Sequence, residues 1–78
     1  MSEIRAQVLS LLDEVGRPVD AEESDDAPLS LASLEVVMLH DAIERAFDVR
    51  VPAKLVTPEA FDSVDSLVAL VREVTGDG

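Results

Sequence analysis

Apolar residues in the first fifteen positions recur every three or four: Ile4, Val8, Leu11 and Val15 fall on one stripe, with Leu12 beside it. That period predicts an amphipathic helix over about residues 3–15, which Gly16 and Pro18 then stop. No period survives from Arg17 to Ala32, so this stretch reads as a long loop, of a length that in compact domains more often accompanies function. The stripe returns at Ser33, after which Val36, Leu39, Ile43, Ala46 and Phe47 share a face until Pro52 ends the segment. Thr57-Pro58-Glu59 has the form of an N-cap followed by proline at the first helical position, predicting a short helix over 57–61. Ser63 caps a last helix whose stripe is Val64, Leu67, Val68, Val71 and Val74. Strand-type alternation and internal repeats are both missing. The expected architecture is all-α: a small four-helix bundle, three longer helices and one short, with the long loop between the first and second helices. It occupies 1–78 as a single domain, with 1–2 and 76–78 frayed.

Composition narrows the function. The formal charge of -11 comes from 17 acidic residues against six Lys and Arg, which is the wrong sign for a phosphate-backbone or anionic-membrane partner. Nucleic acid and membrane are therefore not expected, and partners are expected to be basic. A hydrophobic content of 47% is too high for an acidic disordered tail. Cysteine is absent and the only aromatics are two phenylalanines, Phe47 and Phe61, so an aliphatic core must hold the fold without disulfides. Apolar runs fall short of the ~20 residues of a membrane span, and Met1-Ser2-Glu3-Ile4-Arg5 does not have the form of a signal sequence. A cytoplasmic monomer is expected.

Several local features invite chemistry and lose it on inspection. Asp20-x-Glu22-x-Ser24 starts like a calcium loop, but Asp25 stands where the glycine is needed and Leu31 where the closing glutamate belongs. The acidic run 20–26 therefore reads as a solvated loop, and no metal is expected. His40 has no neighbouring nucleophile or second ligand in the sequence, which makes it a packing or surface histidine. Ser33, taken alone, is an ordinary helix N-cap. Leu34, Val37 and Met38 are less ordinary. They lie off the core face of the second helix, in the sector that also holds Asp41, Glu44 and Arg45, and form an apolar patch with carboxylates nearby.

The order Leu29-Ser30-Leu31-Ala32-Ser33-Leu34, then Val37, Leu39, Ile43-Glu44, Phe47, Val49 and Val51-Pro52, then Thr57-Pro58-Glu59-Ala60-Phe61, Ser63-Val64 and Leu67, resembles the acyl and peptidyl carrier protein family across essentially the whole chain. The family's Leu-Gly-x-Asp-Ser-Leu is departed from twice, with Ser30 in place of glycine and Ala32 in place of aspartate. The resemblance implies a non-catalytic carrier. Ser33 would bear 4'-phosphopantetheine, donated by coenzyme A through a phosphopantetheinyl transferase, and the arm's thiol would hold an acyl or aminoacyl group as a thioester. It also implies docking through the second helix, with Leu34, Val37 and Met38 giving apolar contact and Glu35, Asp41 and Glu44 steering loading and processing enzymes with basic surfaces. Met38 stands where many members carry glutamate. Together with the two departures it points to a specialised pathway, of polyketide, nonribosomal peptide or modified fatty acid type.

Asp65-Ser66-Leu67 reproduces the family tripeptide literally, yet too little chain follows Ser66 for a recognition helix and two more. A rival from another class remains open: a carrier-like helical interaction module, never modified, which the loss of the aspartate at position 32 favours.

Overall fold

The computed structural model describes residues 3–20 and 24–76, and among these every regular element is helical. Three α-helices, α1 (Glu3–Glu14), α2 (Ser33–Phe47) and α3 (Val64–Thr75), are joined by irregular chain that contains one 3-10 turn, Ala53–Leu55. The expected fraying of 1–2, 77 and 78 lies outside the described residues, as do positions 21–23 of the acidic run; Gly76, also expected to fray, instead caps α3 with φ 78° and its N–H on the Arg72 carbonyl.

The stripes bury as their period requires. Val8, Leu11 and Leu12 of α1, Leu39 and Ile43 of α2, and Val64, Leu67, Leu70 and Val71 of α3 form one core with Val51 and Phe61, and α1 packs against both other helices. A domain of this size is stable by roughly 4–12 kcal/mol. Truncating fully buried Leu12 or Leu39 to alanine would cost about 2–5 kcal/mol of that. None of the helices is long and apolar enough to cross a membrane.

Three expectations need correction. Ala46, assigned to the core face, is exposed: a single methyl in the last turn of α2 falls short of the neighbours that the Phe47 ring reaches. The helix ends not at Pro52 but at Asp48, which takes a left-handed conformation (φ 53°) and donates its N–H to the Glu44 carbonyl. Residues 57–61 do not make a helix. Thr57 does cap, its Oγ1 accepting the Ala60 N–H at 3.1 Å and its carbonyl reached by Ala60 and Phe61. The turn stops there because Ser63 must be extended (φ -150°, ψ 169°) to cap α3.

The long loop is pinned rather than loose. Arg5 of α1 grips the Asp25 carboxylate through two bonds of 2.7 and 2.8 Å, and the Asp25 carbonyl accepts the Asp65 N–H in the first turn of α3. Nearer α2, the Leu29 N–H donates to the Asp62 carbonyl at 2.7 Å. Asp25 is thus a half-buried structural residue, not part of a solvated run. Its carboxyl is held below the usual range by the hydrogen bonds from Arg5, despite partial desolvation.

Candidate functional site

The start of α2 is built differently from the N-capped serine that its sequence suggests. The N-cap is Ala32, in extended conformation (φ -74°, ψ 161°), so Ser33 is the first residue inside the helix. Alanine offers no acceptor. Only the return half of a capping box is present: Glu35 Oε1 accepts the Ala32 N–H at 2.8 Å. Among the described residues nothing hydrogen-bonds the Ser33 hydroxyl, and the residue is exposed. A hydroxyl at this place stands beside the unpaired amides of a helix N-terminus, where an attached phosphate would be favoured by the dipole.

Ser30 has φ 53°, the left-handed region that costs a residue with a Cβ about 1–2 kcal/mol. This is the position where the resembled family carries glycine, so the backbone adopts the glycine-type turn without the glycine. Arg17 holds it there: Nη2 donates to the Leu29 carbonyl at 3.0 Å and the Ser30 carbonyl at 2.6 Å. The Arg17 Nε meets Glu35 Oε2 at 3.2 Å. Gly16 sets Arg17 up. Its φ of 87° closes α1 with the paired bonds Gly16 N–H to Asp13 and Arg17 N–H to Leu12, the two-bond C-terminal motif that needs a left-handed residue.

On one side of Ser33 a cleft of about 410 Å³ is lined by Leu31, Val36, Val56, Pro58 and Phe61 together with the polar Ser30, Thr57 and Asp62, and by Ser33 itself. Away from the cleft, Leu34, Val37 and Met38 are 69%, 62% and 43% exposed, the large apolar side chains left outside the core among the described residues. The apolar patch expected at these positions is present. The carboxylates expected beside it are distributed unevenly. Asp41 is exposed and paired with Arg45 at 2.8 Å. Glu35 is committed to Ala32 and Arg17, and Glu44 turns to the flank, where Oε2 accepts the Val51 N–H at 2.8 Å. His40 bonds the other end of the same residue, Nε2–H donating to the Val51 carbonyl at 3.1 Å, since a carbonyl oxygen can only accept. His40 and Glu44 therefore bracket the residue from which the chain runs on to the cleft wall at Val56.

Ser66 is placed in contrast. Its N–H donates to Ser63 Oγ at 3.2 Å, and Ser63 Oγ donates to its hydroxyl at 3.1 Å, so both serines serve the start of α3. Sequence reasoning missed the Arg17–Glu35 pair. Glu35 was its signal, standing three residues after Ala32 as a capping-box acid does. Neither a scan against models of protein families nor a search of curated proteins gives a match.

Proposed function

We propose that this protein is a discrete carrier of the acyl or peptidyl type, modified at Ser33 with 4'-phosphopantetheine and without catalysis of its own. The observation that carries the reading is the placement of Ser33. It is an exposed, unbonded serine at the positive end of α2, three residues after a left-handed turn at the family's glycine position, between a cleft of mixed polar and apolar lining and an apolar patch. A phosphodiester on Ser33 Oγ would meet helix N–H groups, and the arm would start at the mouth of the cleft. The fold reading belongs to the same proposal, as a carrier-type bundle in which the 53–61 segment stands for the short helix.

Docking would centre on Leu34, Val37 and Met38, with Asp41 the exposed acid beside them and Glu35 and Glu44 lending charge while bonded elsewhere. Partners are a phosphopantetheinyl transferase and enzymes that load and process thioesters, in the cytoplasm, on a specialised biosynthetic pathway. Val37→Asp should weaken engagement of such an enzyme while circular dichroism shows helicity retained, since the side chain is mostly exposed. Coexpression with a broad-specificity transferase, followed by intact-mass measurement, tests the central claim: one phosphopantetheine increment is expected.

The second reading, an interaction module that is never modified, is favoured by Ala32. A transferase that relies on a carboxylate there finds only a methyl group. If several competent transferases leave the wild-type mass unchanged, that reading replaces the first.

A further inference from the structure

The chain that leads into Ser33 is fixed on both sides by one pair of charges. Arg17 Nη2 reaches two successive carbonyls, Leu29 and Ser30, while its Nε faces Glu35. Glu35 in turn uses its other oxygen to hold the Ala32 N–H. The loop on one side of Ser33 and the first helical turn on the other are thus joined through a single guanidinium and a single carboxylate. Only arginine supplies Nε–H and Nη–H donors on one rigid planar fork, whereas lysine would offer a point charge on a flexible stem.

The pair cannot be explained by stability alone. Its side chains are 38% and 25% exposed, and ion pairs open to solvent to that degree contribute little. The conformation they hold is costly, because Ser30 is left-handed without being glycine. A weak pair holding an unfavourable turn beside an exposed hydroxyl is an arrangement that fixes geometry. Fixed geometry matters where a second protein must meet one oxygen in one orientation.

We infer that Arg17 and Glu35 are positioning residues for modification of Ser33: they preset the 29–33 backbone so that Ser33 Oγ is presented in one orientation to the modifying enzyme. The inference rests on the carrier reading. Neither residue takes part in the transfer itself, in which Ser33 Oγ attacks the β-phosphorus side of the coenzyme A pyrophosphate, forming the phosphodiester and releasing 3',5'-adenosine bisphosphate, with the serine proton passing to the transferase or solvent.

The test is the rate of phosphopantetheine transfer from coenzyme A to the purified apo protein, with a transferase that modifies wild type. Arg17→Ala should lower kcat/KM at least tenfold, Arg17→Lys should recover only part, and the Arg17→Ala/Glu35→Ala double variant should be close to the worse single one, as coupled residues are. Adding Ser30→Gly to Arg17→Ala should restore much of the rate, because glycine adopts the left-handed turn without being held. Arg5→Ala, which loosens the far end of the loop at Asp25, should stay within about twofold of wild type. Amide exchange at Leu31, Ala32 and Ser33 should quicken in Arg17→Ala and slow again when Ser30→Gly is added, a readout independent of the transferase.

Equal rates for wild type and Arg17→Ala would overturn the inference and leave the carrier reading standing. So would a loss in Arg5→Ala as large as in Arg17→Ala, which would reduce the effect to general loosening of the loop. Should Arg17→Ala fail to fold, Arg17→Lys and Glu35→Gln decide the matter. Glu35→Gln keeps an acceptor for Ala32 but loses the charge facing Arg17, and an unchanged rate in both variants would overturn the inference. A wild-type protein that no transferase modifies brings down the carrier reading, and the positioning role with it.

Discussion

Two helices of this protein begin with a serine nearby, and they begin in opposite ways. At α3 the N-cap is Ser63, 5% exposed, whose oxygen accepts the Ser66 amide and donates to the Ser66 hydroxyl; a loop carbonyl, from Asp25, takes the preceding amide, that of Asp65. At α2 the N-cap is Ala32, which cannot accept, and the helix start is held from a distance by Glu35 and Arg17. The first start uses its hydroxyls for structure. The second leaves one uncommitted, and a hydroxyl already bonded in a buried cap is a poor candidate for covalent chemistry.

The sharpest way to break the contrast is to remove each serine in turn. Ser33→Ala should abolish the phosphopantetheine increment and Ser66→Ala should leave it intact, read by intact mass after coexpression with the same transferase. Survival of the increment in Ser33→Ala would move the site.

Exchanging the caps should reverse the stabilities. Ser63→Ala removes a side-chain cap and should cost about 1–2 kcal/mol, at the upper end because the site is buried. Ala32→Ser should complete a capping box with Glu35 and add about 1 kcal/mol. For a domain of this size, 1 kcal/mol moves Tm by about 4–8 °C, so thermal melts resolve both. If Ala32→Ser gives nothing, Glu35 and Arg17 already satisfy this helix end.

What was legible in the sequence follows from what a period records. The stripes of α1, α2 and α3 predicted most of the core because each helix buries one face, and exposure of Leu34, Val37 and Met38 followed from the same geometry. Leu70 escaped because its flank of α3 is covered by irregular chain near Leu55 and Ala60, which has no period. Val51 and Phe61, buried within that irregular chain, escaped likewise. Taken by itself Ser33 reads as a cap, and that reading is off by one residue: Ala32 is the N-cap, which makes Glu35 the third helical residue and changes which group caps. The bonds of Arg17 were not legible at all, since a side chain that reaches carbonyls twelve and thirteen residues away leaves no local pattern. Gly16 signalled only that the chain would turn.

A smaller effect sharpens the account of Ser30. Left-handed φ costs a serine about 1–2 kcal/mol, and glycine gives back about 0.4–1 kcal/mol through its freer unfolded chain. Ser30→Gly should therefore stabilise by about 0.5 kcal/mol in denaturant melts. A net loss would mean that the Ser30 side chain holds the turn as well as tolerating it.

The smallest effect lies at α3, whose start depends on Asp25 as well as on Ser63. The hydrogen bonds from Arg5 depress the Asp25 carboxyl in the folded state, and the side chains are 38% and 30% exposed, so solvent screens much of the interaction. A carboxyl with a depressed folded value binds fewer protons folded than unfolded. Its contribution is complete above the unfolded value, about 3.9 for aspartate, and is lost as pH falls through the lower folded value. Asp25→Asn removes this titration while keeping a carbonyl oxygen for Arg5. The wild-type protein should therefore be the more stable of the two near neutral pH, and the gap should close as pH drops below about 4. Paired melts at each pH cancel the titration of the remaining acids to first order. A gap that stayed constant into acid would show that Asp25 acts through its shape and its backbone carbonyl bond to Asp65, not through its charge. The start of α3 would then rest on hydrogen bonds between neutral groups, while that of α2 still rests on an ion pair.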